Sequence, residues 1–226
     1  MIRIENIDVW GWKHAIRGMR NPLNSWEKSD SVFCDPSGCD WCDECCDTKF
    51  KYPDLDYCIG PNDLGLMRKL FAAGTEHRKY MTQIFVSLDV IAPLYWWKEA
   101  DTYKVGTVAN SCSTMHKVHA KEFVLDDFSH EHLLEDEAIE FMKHLVDGLN
   151  FYRKKFLETK DKVYWWQMIQ LLPSSYNQRR TLTMNYEVAA TIIRQREGHK
   201  LDEWNQFVKV LKGLPYMAEI MGGEKE

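Results

Sequence analysis

Apolar residues recur at every second position in one part of the chain, as they do in a half-buried β-strand. Apolar residues occupy every second position from 84 to 90, and Pro93 ends the pattern. A shorter apolar segment at residues 2–9 predicts a second strand. Residues 12–19, which follow it, predict the start of a helix.

Other segments carry apolar residues at the spacing of three and four that is typical of helices. Residues 64–71 predict a helix with Asn62 or Asp63 as its N-cap and Gly74 at its end. A last helix is expected from about Leu201 to Gly213. A long helix between them is expected to bury one stripe of residues, namely Leu134, Ala138, Phe141, Leu145, Leu149, Tyr152 and Phe156.

These elements favour one mixed α/β (α+β) domain spanning residues 1–226, with a twisted sheet flanked by helices. A polar, cysteine-rich stretch at about 30–60 is expected to be an insertion or long loop. A chain of 226 residues buries roughly 70% of its extended surface on folding, so it needs no cross-link to be stable.

The formal net charge of −5 argues against broad binding to nucleic acids or anionic membranes. Any anionic ligand must therefore find a local basic site. No apolar run approaches the roughly 18 residues of a membrane span, and the N-terminus lacks the apolar core of a signal peptide. We therefore expect a cytoplasmic protein with no membrane partner.

Five of the seven cysteines lie within thirteen residues and form two overlapping C-x-x-C pairs. In a reducing cytosol this spacing favours free thiols or metal ligands over disulfides. Zinc or an iron–sulfur cluster would suit such ligands. The alternative is a solvent-facing loop rich in Asp and Cys. The candidate ligands are Cys34, Cys39, Cys42 and Cys45.

The most informative segment begins at Leu172-Pro173 and contains Arg179, Thr183-Met184-Asn185 and Arg196. We expect it to form a loop followed by a helix. Arginine binds phosphate and carboxylate groups in a bidentate manner, so this segment predicts an anion-binding site. The alternative is that both arginines are ordinary solvated positions.

This L-P…R…T-x-N…R spacing resembles the C-terminal segment of flavin-dependent thymidylate synthases. Upstream, Gly74-Thr75-Glu76-His77 and Ala92-Pro93 are similar to two further segments of that family, in the same order. The resemblance implies the family fold, FAD as cofactor, and NADPH and methylenetetrahydrofolate as co-substrates. It also implies conversion of dUMP to dTMP by a homotetramer with sites between subunits.

The family signature, R-H-R followed by seven residues and Ser, is replaced here. Its tripeptide falls on Thr102-Tyr103-Lys104, and its Ser falls on Cys112 or, with one insertion, on Ser113. The resemblance implies Arg179, Arg196, Lys104 and Glu99 as nucleotide ligands. It implies His77, Asn185 and Tyr103 as flavin contacts, with Ser113 or Cys112 as catalytic residues.

The lost signature leaves two other functions open. One is a different modification of a pyrimidine nucleotide, such as hydroxymethylation, which the acidic Glu99 also favours. The other is a non-catalytic nucleotide-binding or assembly protein with a cysteine-bound metal. Cys112 could act as a nucleophile only if a cation such as Lys104 stabilised its thiolate; the alternative is a buried small hydrophobic residue.

Overall fold

The computed structural model describes residues 2–33 and 57–222. Six strands lie in these ranges: β1 Arg3–Trp10, β2 Val32–Phe33, β3 Tyr57–Cys58, β4 Phe85–Pro93, β5 Thr107–Ser111 and β6 Asn177–Asn185. The helices in the same ranges are α1 Trp12–Arg20, α2 Pro61–Ala73, α3 Leu94–Ala100, α4 Thr114–Lys117, α5 Asp136–Thr159, α6 Lys162–Leu171, α7 Tyr186–Arg196, α8 Asp202–Lys212 and α9 Met217–Ile220.

Four strands form an antiparallel sheet in the order β1-β4-β6-β5. The predicted alternation in β4 is confirmed, because Val86, Leu88 and Val90 are buried and the residues between them are half-buried. β2 and β3 form a separate antiparallel pair, with Phe33 opposite Tyr57. The mixed α/β class predicted from the sequence is confirmed.

The described chain divides into two compact units. The first contains residues 2–5, 89–102 and 109–181, and the second contains residues 6–33, 57–88, 103–108 and 182–222. The assignment of a single domain stays a prediction. None of the helices in the described ranges is long and apolar enough to cross a membrane.

In the first unit, α5 and α6 pack around a core that includes Met142, Val146, Leu149 and Met168. The predicted stripe on α5 is wrong at two positions. Leu134 precedes the helix and is 85% exposed, and Phe141 is 73% exposed. Leu149 is buried as predicted, and the half-buried Leu145, Tyr152 and Phe156 pack against the core, whereas Met142 and Val146 widen the buried face beyond the predicted stripe.

In the second unit, the predicted last helix is confirmed as α8, whose apolar residues Trp204, Phe207, Val208 and Leu211 are all buried. The predicted cap of α2 is wrong, because this helix begins at Pro61 with Gly60 at the N-cap. The carboxylate of Asp30 accepts the backbone N–H groups of Asn62 and Asp63 at 2.8 and 3.1 Å. A side chain distant in sequence thus satisfies the helix N-terminus.

The predicted loop before α7 is wrong over residues 177–185, which form strand β6. Gln178, Leu182 and Met184 are buried, whereas the residues between them are half-buried or exposed. The strand is polar on its open face, so its sequence resembles a loop. Arg179 therefore lies on a sheet, where neighbouring strands constrain it.

Candidate functional site

Arg179 projects from β6 beside acidic residues of the two strands that precede it in the sheet. Its Nη2 atom lies 2.6 Å from Asp89 Oδ2 on β4 and 3.4 Å from Glu5 Oε2 on β1. Asp89 Oδ1 accepts a hydrogen bond of 2.5 Å from the Thr181 hydroxyl. We call Glu5, Asp89, Arg179 and Thr181 the Arg179 cluster; all four belong to the first unit.

The cluster holds a guanidinium that can still bind a ligand. Both acidic contacts use Nη2, and 43% of the Arg179 side chain remains exposed. Asp89 is 15% exposed and is also held by Thr181, so it fixes the direction of the guanidinium. Arginine carries five N–H donors, and those on Nε and Nη1 suit a phosphate or carboxylate.

The neighbouring Arg180 has a different environment. Its guanidinium stacks on the ring of buried Trp97 at 4.3 Å. Its Nη1 atom donates to Asp101 at 2.7 Å, and its Nε atom donates to Gln178 at 2.9 Å. These contacts assign Arg180 to packing within the first unit and leave Arg179 as the ligand candidate of the pair.

The two predicted catalytic positions directly follow β5, which pairs with β6. The Cys112 backbone N–H donates to Arg179 O at 2.9 Å, and Cys112 O accepts from Gln178 Nε2 at 2.8 Å. The thiol is free and exposed, so the alternative of a buried small hydrophobic residue is wrong. Ser113 is the N-cap of α4, where its hydroxyl accepts the His116 N–H at 3.0 Å.

A second group of predicted residues meets in the second unit. Arg196 Nε donates to the Tyr103 hydroxyl at 2.9 Å, and this hydroxyl donates to Gln195 Oε1 at 3.0 Å. The Arg196 guanidinium lies 4.6 Å from the ring centre of buried Trp204 and has Nη1 3.2 Å from His199 Nε2. We call Tyr103, Gln195, Arg196, His199 and Trp204 the Arg196 nest.

The nest presents an immobilised cation among aromatic rings. Tyr103 and Trp204 pack edge to face, with their ring centres 6.0 Å apart. Arg196 and Tyr103 are both half-buried, and exposed Lys104 follows in the chain. Trp204 is fully buried and supports Arg196 from below, so Tyr103 is the ring of this pair that can contact a flat ligand, while the cations can bind phosphate.

Asn185 lies at the junction of β6 and α7. Its Oδ1 atom accepts the Val188 N–H at 3.0 Å, which makes it the N-cap of α7. Gly106 passes so close that a Cβ atom built on it would lie 2.7 Å from Asn185 Nδ2, and its φ of +81° favours glycine. Asn185 therefore has a structural role, with its Nδ2 group directed at the Gly106 backbone.

The structure places His77 on the surface, in a short 3₁₀ helix, where its side chain is 52% exposed and lies 3.8 Å from Glu76. The adjacent Arg78 is only 5% exposed and has Nε 3.6 Å from Glu187 Oε2. Burial raises the pKa of Glu187, and the charges of Arg78 and Arg194 oppose that rise. The Phe71 ring lies 4.7 Å from the Arg78 guanidinium.

The remaining predicted positions are Glu99 and the four cysteines proposed as metal ligands. Glu99 is half-buried on α3, in the first unit. No group of three metal-ligating residues occurs in the ranges 2–33 and 57–222. The predicted metal ligands Cys34, Cys39, Cys42 and Cys45 lie outside these described residues.

Sequence reasoning missed Asp89, Trp204 and the Arg78–Glu187 pair. Asp89 left a usable signal, because it is an acidic residue within a largely apolar strand pattern. Trp204 lies in the predicted last helix, but the sequence did not indicate its contact with Arg196. The Arg78–Glu187 pair joins residues more than a hundred positions apart, so no local pattern could reveal it.

Comparison with known proteins supports the fold. No protein-family model matches the sequence, and no curated protein matches it significantly. The structure is similar to thymidylate synthase X (ThyX) from Helicobacter pylori crystallised with FAD and dUMP, with a TM-score of 0.64 and 15% identity over 98% of this chain and 97% of that one. A second structure of Helicobacter pylori flavin-dependent thymidylate synthase ThyX, complexed with FAD and dUMP, gives a TM-score of 0.61 and 14% identity over 97% of both chains. The chain thus has the fold of these enzymes.

Proposed function

We propose that this protein is a thymidylate synthase-like enzyme that uses a flavin to transfer a one-carbon unit to C5 of dUMP. The observation that carries the proposal is a fold similarity that extends over nearly the whole of both chains to an enzyme structure containing FAD and dUMP. A partial match could reflect a shared substructure. A match of 98% and 97% leaves no large part of either chain unaccounted for.

The Arg179 cluster supports nucleotide binding. A nucleotide monophosphate needs charge-assisted donors, and a protein with net charge −5 must supply them locally. Arg179 provides Nε and Nη1 for a phosphate, while Asp89 holds its Nη2 atom in place at 2.6 Å. We assign Arg179 to the phosphate of the nucleotide. Cys112 and Ser113 adjoin the strand that carries Arg179.

The Arg196 nest supports flavin binding. FAD combines flat rings with a pyrophosphate, and the nest combines the half-buried Tyr103 ring with a half-buried guanidinium. The residues present therefore fit the group. Tyr103 would hold the ring system. A bound flavin would supply hydride chemistry, and the protein would supply orientation and electrostatics.

The test is a product assay. Purified protein is incubated with FAD, NADPH, methylenetetrahydrofolate and dUMP, and the nucleotides are identified by mass spectrometry. We expect dTMP. An Arg179→Gln variant should lose at least about tenfold in kcat/KM, because it lacks the charge-assisted contacts to phosphate. Arg17→Gln, which changes an exposed arginine on α1, is the matched control and should retain activity.

The assay also separates the alternatives. A hydroxymethylated nucleotide would identify the altered modification that Glu99 and the replaced signature suggest. The absence of any new nucleotide, together with measurable dUMP binding, would favour a non-catalytic nucleotide-binding protein. Equal activity of Arg179→Gln and the native protein would refute the role of the Arg179 cluster.

A further inference from the structure

A group of basic side chains surrounds His119, which lies in the turn that follows α4. Burial, and then the charges of Lys160, Lys117 and Arg153, lower the pKa of His119 below its ordinary value. Lys117 ends α4, Arg153 lies on α5, and Lys160 is the C-cap of α5. Three parts of the first unit thus bring cations close to one imidazole. We call Lys117, His119, Arg153 and Lys160 the His119 cluster.

The segment that carries His119 is fastened to α5 and α6 at several points. The Trp165 indole Nε1 donates to Met115 O at 3.0 Å. Val118 is 4% exposed and belongs to the core of the first unit. The Asn150 side chain holds the backbone of Phe123 through hydrogen bonds of 2.8 and 2.9 Å. This segment therefore has a fixed position against the two helices.

Three side chains of the cluster are also held in place. Arg153 is half-buried, and its Nε atom donates to His119 O at 3.0 Å, which leaves its Nη1 and Nη2 groups for a ligand. The centre of the Phe156 ring lies 4.8 Å from the centre of the His119 ring and 5.9 Å from Lys160 Nζ. One aromatic ring thus supports both the imidazole and the ammonium group.

One ring nitrogen of His119 has an unusual environment. His119 Nδ1 is buried and has no hydrogen-bond partner among the described residues. A buried N–H group without an acceptor is costly, so the neutral tautomer with its hydrogen on Nε2 is favoured. The imidazole then offers Nε2–H as a donor. His119 therefore adds a neutral hydrogen-bond donor to three cations.

The cluster also differs from other basic residues nearby in its charge balance. Lys121, two positions after His119, forms an ion pair with Asp127. No carboxylate in the part of the chain that the structure describes pairs with Lys117, Arg153 or Lys160. Like charges held together repel, and a chain with a net charge of −5 has many acids with which to compensate them. The uncompensated charge therefore indicates an anionic ligand.

A terminal phosphate group suits these donors. It carries a charge between about −1.5 and −2 near neutral pH and has three strong acceptor oxygens. The cluster offers three positive charges, the two terminal nitrogens of a guanidinium and one imidazole N–H. A phosphodiester carries a single negative charge, so it would leave more of the positive charge uncompensated.

We propose that the His119 cluster is a second anion-binding site of this protein, which binds the terminal phosphate of a small phosphorylated molecule. The site shares no residue with the Arg179 cluster. The proposal does not depend on the function proposed above.

The test follows a local signal of the site. Ribose 5-phosphate is added at constant pH in about 150 mM salt, and the ring signals of His119 are recorded by proton–nitrogen NMR. His119→Gln assigns these signals. We expect a saturable shift with a dissociation constant below about 1 mM. The shift should persist in Arg179→Gln, because the Arg179 cluster is a different site.

Two variants remove charges of the cluster without removing buried groups. Lys117→Gln and Lys160→Gln each replace an exposed lysine, and each should raise the dissociation constant about fivefold. The double variant should raise it by about twentyfold or more. Melting temperatures should change by less than about 2 °C, because neither side chain is buried. Lys209→Gln, which replaces an exposed lysine on α8, is the charge-matched control and should leave the titration unchanged.

An oligothymidylate of about eight nucleotides without a terminal phosphate distinguishes a small ligand from a nucleic-acid strand. It should bind at least about tenfold more weakly than ribose 5-phosphate. Tighter binding of the oligonucleotide would overturn the assignment to a small phosphorylated molecule. The proposal is also overturned if the His119 signals do not respond to ribose 5-phosphate, or if the double variant binds it as tightly as the native protein does.

Discussion

Replacing Asp63 by alanine should destabilise the second unit strongly. Asp63 is fully buried, and its Oδ1 atom accepts from Arg20 Nε at 2.6 Å. Its Oδ2 atom accepts from the hydroxyls of Ser29 and Ser31 at 2.7 and 2.6 Å and from the Ser31 N–H at 3.1 Å. The carboxylate thus joins the start of α2 to α1 and to the segment before β2.

The size of the loss in unfolding free energy can be estimated from the groups that Asp63→Ala leaves without a partner. Arg20 is 4% exposed, so Asp63→Ala strands a buried positive charge. Removing one partner of a buried ion pair costs about 3–5 kcal/mol. That is a large share of the roughly 5–15 kcal/mol that stabilises an ordinary domain. Asp63→Asn keeps the shape and should cost less, because the amide oxygen can still accept one of these hydrogen bonds.

Urea unfolding followed by circular dichroism measures the effect. We expect a clear fall in the urea midpoint with Asp63→Ala. The exposed Asp8→Ala on β1 is the control and should change the free energy of unfolding by less than about 0.5 kcal/mol. A loss of less than about 1 kcal/mol of unfolding free energy for Asp63→Ala would show that the buried network contributes little to stability, which would refute this prediction.

Three other outcomes are expected. Burial alone would raise the pKa of Asp63, but hydrogen bonds from Ser31, Ser29 and Arg20 and the charge of Arg20 hold it below its ordinary value. The ionised Asp63 carboxylate therefore stabilises the folded state fully above about pH 4, and this stabilisation is lost as the pH falls through the lowered pKa of the folded protein. The difference in unfolding free energy between the native protein and Asp63→Asn should therefore shrink in acid. Tyr103→Phe removes the hydroxyl that joins Arg196 to Gln195, so calorimetry should show dUMP or FAD binding weakened by roughly tenfold, with a change in unfolding free energy below about 2 kcal/mol. Elemental analysis should find zinc or iron in the purified protein, and Cys39→Ser/Cys42→Ser should remove it; a metal-free native protein would refute the predicted site.

The sequence predicted the elements whose faces differ most in polarity. Strand β4 and helix α8 each bury one apolar face, and their periods are visible in the sequence. Strand β6 was missed because Arg179 and Thr181 make its open face polar, which resembles a loop locally. The neighbouring strands, rather than its own composition, decide its conformation.

The candidate site was predictable only in part. The spacing of Arg179 and Arg196 identified two residues that the structure places in well-defined polar surroundings. Their partners Asp89 and Trp204 come from other elements, so a local motif could not supply them. The predicted N-cap of α2 was wrong for the same reason, since Asp30 reaches the helix from a distant part of the chain.

The visible absorption spectrum is the most direct test of whether the protein binds a flavin and dUMP together. The purified protein is incubated with FAD, desalted and recorded with and without dUMP. We expect that the two bands of oxidised flavin are retained and shift when dUMP is added, since both ligands would then influence one site. Complete loss of FAD on desalting, with no spectral response to dUMP in the presence of added FAD, would contradict it.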